Sequence, residues 1–267
     1  MTKNSIIRQQ LTMRVGRGTL SFSMPTADEQ DVLFEPYVVK SGVSMAANLR
    51  EAFKTADLLA EAPSRVRVLI DSDVLMVPVE LFSETTMEAM LHHAYPRSEQ
   101  DACLHNVLPD LNAVAVFAVN RDLKLVLDDH FRDVTFVTAM APVWRHLHQR
   151  SYTGNRRKLY GYFHEQHLDV FSFQQNRFKF CNSFETAHAH DSLYFLLYVW
   201  KQLQLQPTHD EMHIVGDIPE QEWLLSELRR YVQNAYVVNP TADFNRAAVT
   251  SIKGMPFDLQ TLFVKGR

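Results

Sequence analysis

Glycine is scarce in this chain, only 8 of 267 residues, and the scarcity narrows what the protein can do. A loop that cradles phosphate with main-chain N–H groups needs positions without a Cβ, so that the backbone can approach the anion. Neither GxxxxGK[ST] nor GxGxxG occurs, which removes the P-loop and dinucleotide fingerprints. Cysteine is scarcer still. Cys103 and Cys181 form no CxxC and no metal-like spacing, so a disulfide framework and a thiolate metal site are both excluded. The two read as packing residues, Cys103 in a helical segment and Cys181 at the end of an apolar strand. No apolar stretch approaches the roughly 18–20 uncharged residues of a spanning helix. The N-terminus carries polar Lys3, Asn4, Ser5, Arg8, Gln9 and Gln10 in place of a signal-peptide apolar region. The expectation is a cytoplasmic protein with no membrane span.

Excess positive charge is also missing. A net charge of -4 and a pI near 6.3 argue against a general nucleic-acid binder, which needs a basic surface to displace phosphate counterions. The local run from Arg156 to Lys158 reads as a solvated loop before a strand. What is present is ordinary for a globular domain: 46% hydrophobic and 22% charged residues, in a chain long enough for two lobes.

The most informative stretch runs from Glu211 to Pro240. The strand His213–Val215 leads into Gly216, an amphipathic helix carries Leu224, Leu228 and Tyr231 on one face, and a second strand, Ala235–Val238, closes at Asn239 and Pro240. Asp217 is placed to cap that helix, with Pro219 in its first turn and Glu220 reaching back as in a capping box. Short β-branched strands joined by a helix suit a parallel pair.

The rest of the second half supplies three antiparallel strands, Lys158–Phe163, Leu168–Phe173 and Arg177–Cys181. A long helix follows, with Leu193, Leu196, Leu197, Trp200 and Leu203 at helical spacing. The first half opens the same way, with strands at Leu11–Val15, Thr19–Met24 and Asp31–Val39. A helix capped by Ser44 and ended by Pro63 comes next, then strands at Arg65–Ile70, Val74–Val79, Ala113–Val119 and Leu123–Leu127. Residues 80–93 read as helix, and 134–149 as a strand and a helix. The repeated order predicts an α/β protein of two duplicated lobes with mixed sheets flanked by helices, residues 1–150 and 151–267, divided at Ser151–Arg157 where Gly154 and Asn155 give turn chemistry.

Three motifs carry a resemblance: Val77-Pro-Val-Glu-Leu-Phe82, Cys181-Asn-Ser-Phe184, and His213-Ile-Val-Gly-Asp217 with the closing Asn239-Pro240. On these the chain resembles a bacterial family of unknown function with the actin-like ATPase (ribonuclease H-like) fold of actin, sugar kinases and Hsp70-type ATPases. The strand-glycine-helix-strand-Asn-Pro pattern is also similar to bacterial cell-division and pilus-assembly actin relatives. The resemblance implies a cleft between lobes in which two hairpins would wrap ATP phosphates and a glycine pair would meet the adenosine. The matching first hairpin is read at Ser23–Asp31, with no glycine and with Asp28, Glu29 and Asp31. The second is read at His164–His167, with Glu165 and again no glycine. At the adenosine strand Gly216 remains, while Asp217 stands where a second glycine is expected.

Gly216 and Asp217 are therefore the remnant adenosine-loop candidates, Gly216 serving chiefly as a tight strand-to-helix exit. No catalytic residue and no metal ligand is assigned. His164 and His167 flank one turn, His188 and His190 precede Asp191 at a helix start, and His92, His93, His146 and His148 lie elsewhere; all read as surface or capping residues. Phe171, Phe173, Phe178, Phe180 and Phe184 read as a buried sheet face, not as stacking platforms for nucleic acid. The expectation is a degenerate, non-catalytic binding or scaffolding module, without a cofactor, that engages a protein partner. The alternative is a divergent ATPase or kinase that uses ATP and magnesium.

Overall fold

The computed structural model describes residues 10–26, 31–60, 64–95, 100–152, 155–174 and 177–264. The first half begins with a meander, β1 (Leu11–Val15), β2 (Leu20–Pro25) and β3 (Val32–Tyr37). Helix α1 (Met45–Thr55) starts at Ser44, whose hydroxyl accepts from the Ala47 N–H at 3.2 Å, and the short α2 (Asp57–Ala60) precedes β4 (Arg65–Ile70). A second, smaller unit follows: β5 (Val74–Pro78), α3 (Met87–Ala94), β6 (Asp101–Leu108) and β7 (Ala113–Asn120). Then α4 (Arg121–His130), β8 (Asp133–Thr138) and α5 (Met140–Ser151) complete the half.

The second half repeats the plan without the insertion. A meander of β9 (Lys158–His164), β10 (His167–Gln174) and β11 (Arg177–Glu185) is followed by α6 (Ala189–Gln202), β12 (Glu211–Gly216), α7 (Gln221–Tyr231) and β13 (Asn234–Val237). The chain then returns to the first half through α8 (Pro240–Asp243) and α9 (Phe257–Phe263), which packs on α5.

The two five-stranded sheets have one topology. Their orders are β3-β2-β1-β4-β8 and β11-β10-β9-β12-β13, and a three-stranded sheet, β5-β7-β6, carries the insertion. In both large sheets the meander strands pair antiparallel and the strands beyond β1 or β9 pair parallel. The central strands are buried on both faces, as sheets covered by helices require. The expected α/β fold of two duplicated lobes with mixed sheets is the fold observed.

One core runs across the junction: Trp144 of α5 meets Phe171 and Phe178 edge-on, with ring centroids 6.5 and 5.2 Å away. Aromatic pairs of this kind contribute about 0.5–1.5 kcal/mol each beyond their buried area. The outer face of the second sheet has its own core, in which Leu196, Val199 and Trp200 of α6 pack with Leu224 and Leu228 of α7.

Four local expectations are corrected. Leu123–Leu127 is helical, not a strand: the Asn120 carboxamide accepts from the Leu123 N–H at 3.1 Å and starts α4, which buries Leu123, Val126 and Leu127 and turns Leu125 to solvent. Cys103 lies in β6, not in a helix. Asp217 does not cap the following helix, because α7 begins only at Gln221, after Glu220 in the left-handed region. Residues 79–81 form a single 3-10 turn apart from α3, so 80–93 is not one helix. Pro63 and Gly154, invoked as a helix stop and a turn, lie outside the described residues.

Candidate functional site

The turns β1–β2 and β9–β10 hold equivalent places in the two sheets, and they meet. In the first turn Gly16, Arg17 and Gly18 link the strands, with the Gly16 N–H donating to the Thr19 carbonyl at 2.8 Å. In the second, Glu165 and Gln166 take φ of 44° and 63°, the left-handed pair of a tight hairpin. Glu165 reaches across. Its carboxylate accepts from the Gly18 N–H at 2.8 Å, from the Thr19 hydroxyl at 2.6 Å and from Arg14 Nη1 at 2.5 Å. A Cβ on Gly16 would stand 2.0 Å from Glu165 Oε1 and 2.3 Å from Thr19 Oγ1, so the missing side chain at position 16 is what makes room for the carboxylate.

Arg14 is the hub. Its side chain, 3% exposed, donates through Nε to both oxygens of Asp258 on α9 at 3.0 and 2.8 Å, and through Nη2 to Asp71, just beyond β4, at 3.4 Å. The Tyr162 hydroxyl donates to the same Asp258 at 3.2 Å. Beside this lies His164. Its Nδ1 sits 2.9 Å from Asp71 and its Nε2 is hydrogen-bonded to Asp169. Arg17 donates to Asp73 at 2.7 Å and lies 3.6 Å from Asp71.

Electrostatics follow from burial and partners. Burial opposes the charge of His164, but hydrogen bonds to Asp169 and Asp71 outweigh it and hold the imidazolium up to about 10. Burial likewise opposes ionised Asp71, yet the hydrogen bond and charge of His164, with Arg14 and Arg17, bring it down to about 2. Glu165 is lowered by Arg14, Thr19 and the Gly18 N–H, against the effect of burial. The cluster thus sets the cations Arg14, Arg17 and His164 against the carboxylates of Asp71, Asp73, Glu165, Asp169 and Asp258. Negative charge is in excess, and the local field repels a free polyanion.

Two cavities flank the cluster. One, about 310 Å3, is bounded by Gly16, Arg17, Asp71, Asp73 and Tyr95. The other, about 360 Å3, lies on the second half and is bounded by Tyr162, Gly216, Asp217, Gln221, Asn239, Pro240 and Gln260. Gly216 and Asp217 therefore do border a cavity. The backbone alone accounts for Gly216: φ is +100°, and a Cβ would stand 2.0 Å from the Phe163 carbonyl oxygen, to which the Asp217 N–H donates at 2.9 Å.

The first hairpin lies elsewhere than its acidic residues suggest. Ser23–Asp31 covers the end of β2 and the β2–β3 connection, of which Asp28 and Glu29 lie outside the described residues, whereas β1–β2 is the hairpin that faces His164–His167. Spacing contained one usable signal, Gly16 and Gly18 flanking Arg17 directly after the first strand. The histidines do not converge either: His164 joins the cluster, His190 lies tilted against Trp223 with centroids 4.3 Å apart, and His146 bonds Asp243 at 2.6 Å. Among the described residues no His, Cys, Asp and Glu side chains are grouped to hold a metal, and none of the helices is long and apolar enough to cross a membrane.

Two sheets of identical strand order, joined at paired hairpins, define an actin-like ATPase fold. Solved structures agree. A Bacteroides thetaiotaomicron protein with actin-like ATPase fold and unknown function is 26% identical, with a TM-score of 0.85 over 97% of this chain and 96% of that one. A PilM–PilN type IV pilus biogenesis complex gives a TM-score of 0.55 at 13% identity over 96% and 99% of the two chains. By its sequence the chain belongs to the DUF3822 family of proteins of unknown function, whose model matches residues 1–235. No curated protein sequence matches it.

Proposed function

We propose that this protein is a non-catalytic binding module built on the actin-like fold, one that neither hydrolyses nor tightly binds ATP and that acts on a protein partner. The observation that carries the reading is the occupancy of the β1–β2 hairpin: the Gly18 N–H, the Thr19 hydroxyl and Arg14 Nη1 all bond the chain's own Glu165. Main-chain and guanidinium donors engaged by an internal carboxylate are not free for a phosphate. The surplus of carboxylates around them disfavours a polyphosphate further. The non-glycine turn at Glu165 and Gln166 supports the same conclusion, since side chains with Cβ atoms crowd the backbone approach that phosphate wrapping uses.

A protein partner is favoured over nucleic acid by the net charge of -4. It is favoured also by the exposed pair Tyr194 and Tyr198 on α6, 62% and 47% exposed and ring-stacked at 6.0 Å, since aromatic side chains are enriched at interfaces.

Titration calorimetry with ATP and magnesium is the test, with a hydrolysis assay in parallel. No saturable heat and no turnover above background are expected. A micromolar dissociation constant, or turnover that disappears in a folded Gly216→Val variant, would favour the alternative, a divergent ATPase or kinase.

A further inference from the structure

We infer that Glu165 is an intramolecular latch: its carboxylate is the resident anion of the β1–β2 hairpin and ties that hairpin to the β9–β10 turn with no ligand bound. Three kinds of donor from one hairpin converge on this group, an amide N–H, a hydroxyl and a guanidinium. Such charge-assisted bonds are about twice as strong as neutral ones. Gly16, lacking the Cβ that would strike Oε1 at 2.0 Å, leaves the floor of the cradle open to an oxygen.

The latch is releasable by its placement. Arg14 is anchored independently by Asp258 and Asp71, so the cradle keeps its shape when Glu165 leaves. Glu165 itself rides on a two-residue turn, its side chain is 15% exposed, and Arg17, Gly18 and Thr19 are open to solvent. Once vacated, the cradle presents the chemistry of a site for a small oxyanion, a carboxylate or a phosphate. This goes beyond the absence of ATP binding, since a protein that failed to bind ATP for any other reason would have no such resident anion.

Chemical rescue tests it, using the full chain as Glu165→Ala, as Glu165→Gln and unaltered, with thermal unfolding as the readout. Glu165→Ala is expected to lower Tm by roughly 5–10 °C, with the halves still joined by the core around Trp144 and Phe171. Acetate, and separately inorganic phosphate, should recover half or more of the Tm loss in Glu165→Ala relative to sodium chloride at equal ionic strength. They should do little for Glu165→Gln, whose carboxamide still fills the space, or for the unaltered protein. A folded Glu165→Ala variant with unchanged Tm, or one stabilised by acetate and phosphate no more than by chloride, overturns the latch. Tight ATP binding by the unaltered protein would instead overturn the proposed function and leave the rescue result to stand by itself.

Discussion

The β1–β2 and β9–β10 hairpins come from sheets of one strand order, β3-β2-β1-β4-β8 against β11-β10-β9-β12-β13, but their chemistry is opposite. The first carries two glycines and two arginines and donates; the second carries Glu165 on left-handed non-glycine residues and accepts. Duplicated backbones have thus been given complementary charges, and their junction is held by internal salt bridges where ligand-binding sites commonly lie between domains. The difference teaches that a conserved layout of strands fixes where two turns meet and leaves open whether a ligand or a side chain joins them.

Breaking the donor side has the largest expected effect. Among the described residues, Arg14→Met removes the one cation bonded to Asp258 and leaves that carboxylate, 1% exposed, with the Tyr162 hydroxyl. Stripping a buried ion pair of one member costs on the order of 3–5 kcal/mol. Urea unfolding should show that loss or no folded protein. A change below about 1 kcal/mol would mean that Arg14 does not organise the junction.

On the accepting half the next largest effect is expected from Gly216→Val, whose Cβ would meet the Phe163 carbonyl oxygen at 2.0 Å in a backbone of φ +100°. Strain and overpacking together should cost roughly 2–4 kcal/mol, seen as a lowered urea midpoint. An unchanged midpoint would return Gly216 to the status of a position kept for a ligand in the neighbouring cavity.

The pH dependence sharpens the comparison from the imidazolium between Asp71 and Asp169. His164 is raised to about 10, so its stabilising contribution is complete below the ordinary histidine value of about 6.5 and is lost as pH rises towards 10. Asp71 is lowered to about 2, so its contribution is present above about 4 and is lost as pH falls towards 2. Asp71 and Asp169 face His164, Arg14 and Arg17 face Asp71 in turn, and the Tyr162 and His167 rings lie 4.7 and 6.3 Å from the imidazole. Urea midpoints of the unaltered protein should fall between about pH 6.5 and 10, and His164→Gln should remove most of that slope. Parallel profiles for the two proteins would place the titration elsewhere.

The order of elements was legible because strand and helix periods are local. Three alternating runs, a helix, and a strand-helix-strand unit sufficed to give both halves. Leu123–Leu127 deceived because its apolar residues alternate as a strand does, and only Asn120, three residues upstream, reveals the helix start. The site was not legible in the same way. Arg14 and Asp258 are 244 residues apart and Arg14 and Glu165 151 apart, pairings that no local period encodes. A buried arginine in the first strand, followed by Gly16 and Gly18, was the nearest hint. Acidic residues alone, without glycine, pointed to Ser23–Asp31, and acidity does not mark the turn that meets the second hairpin.

The smallest expected effect separates the two glycines of the donor hairpin. At Gly16 a Cβ would displace Glu165 and Thr19, so Gly16→Ala should weaken the junction by roughly 1–2 kcal/mol. At Gly18 the nearest atom a Cβ would meet is Glu165 Oε2 at 4.0 Å, and φ is not in the left-handed region. Gly18→Ala keeps the N–H that bonds Glu165 and removes conformational freedom only from the unfolded chain. It should be neutral or stabilise by up to about 0.5–1 kcal/mol. The urea midpoint of Gly16→Ala would then fall while that of Gly18→Ala stays or rises. Equal destabilisation at both positions would show that the hairpin backbone needs two glycines for a reason other than Glu165. The close approach of an external anion would then become the better account of the pair.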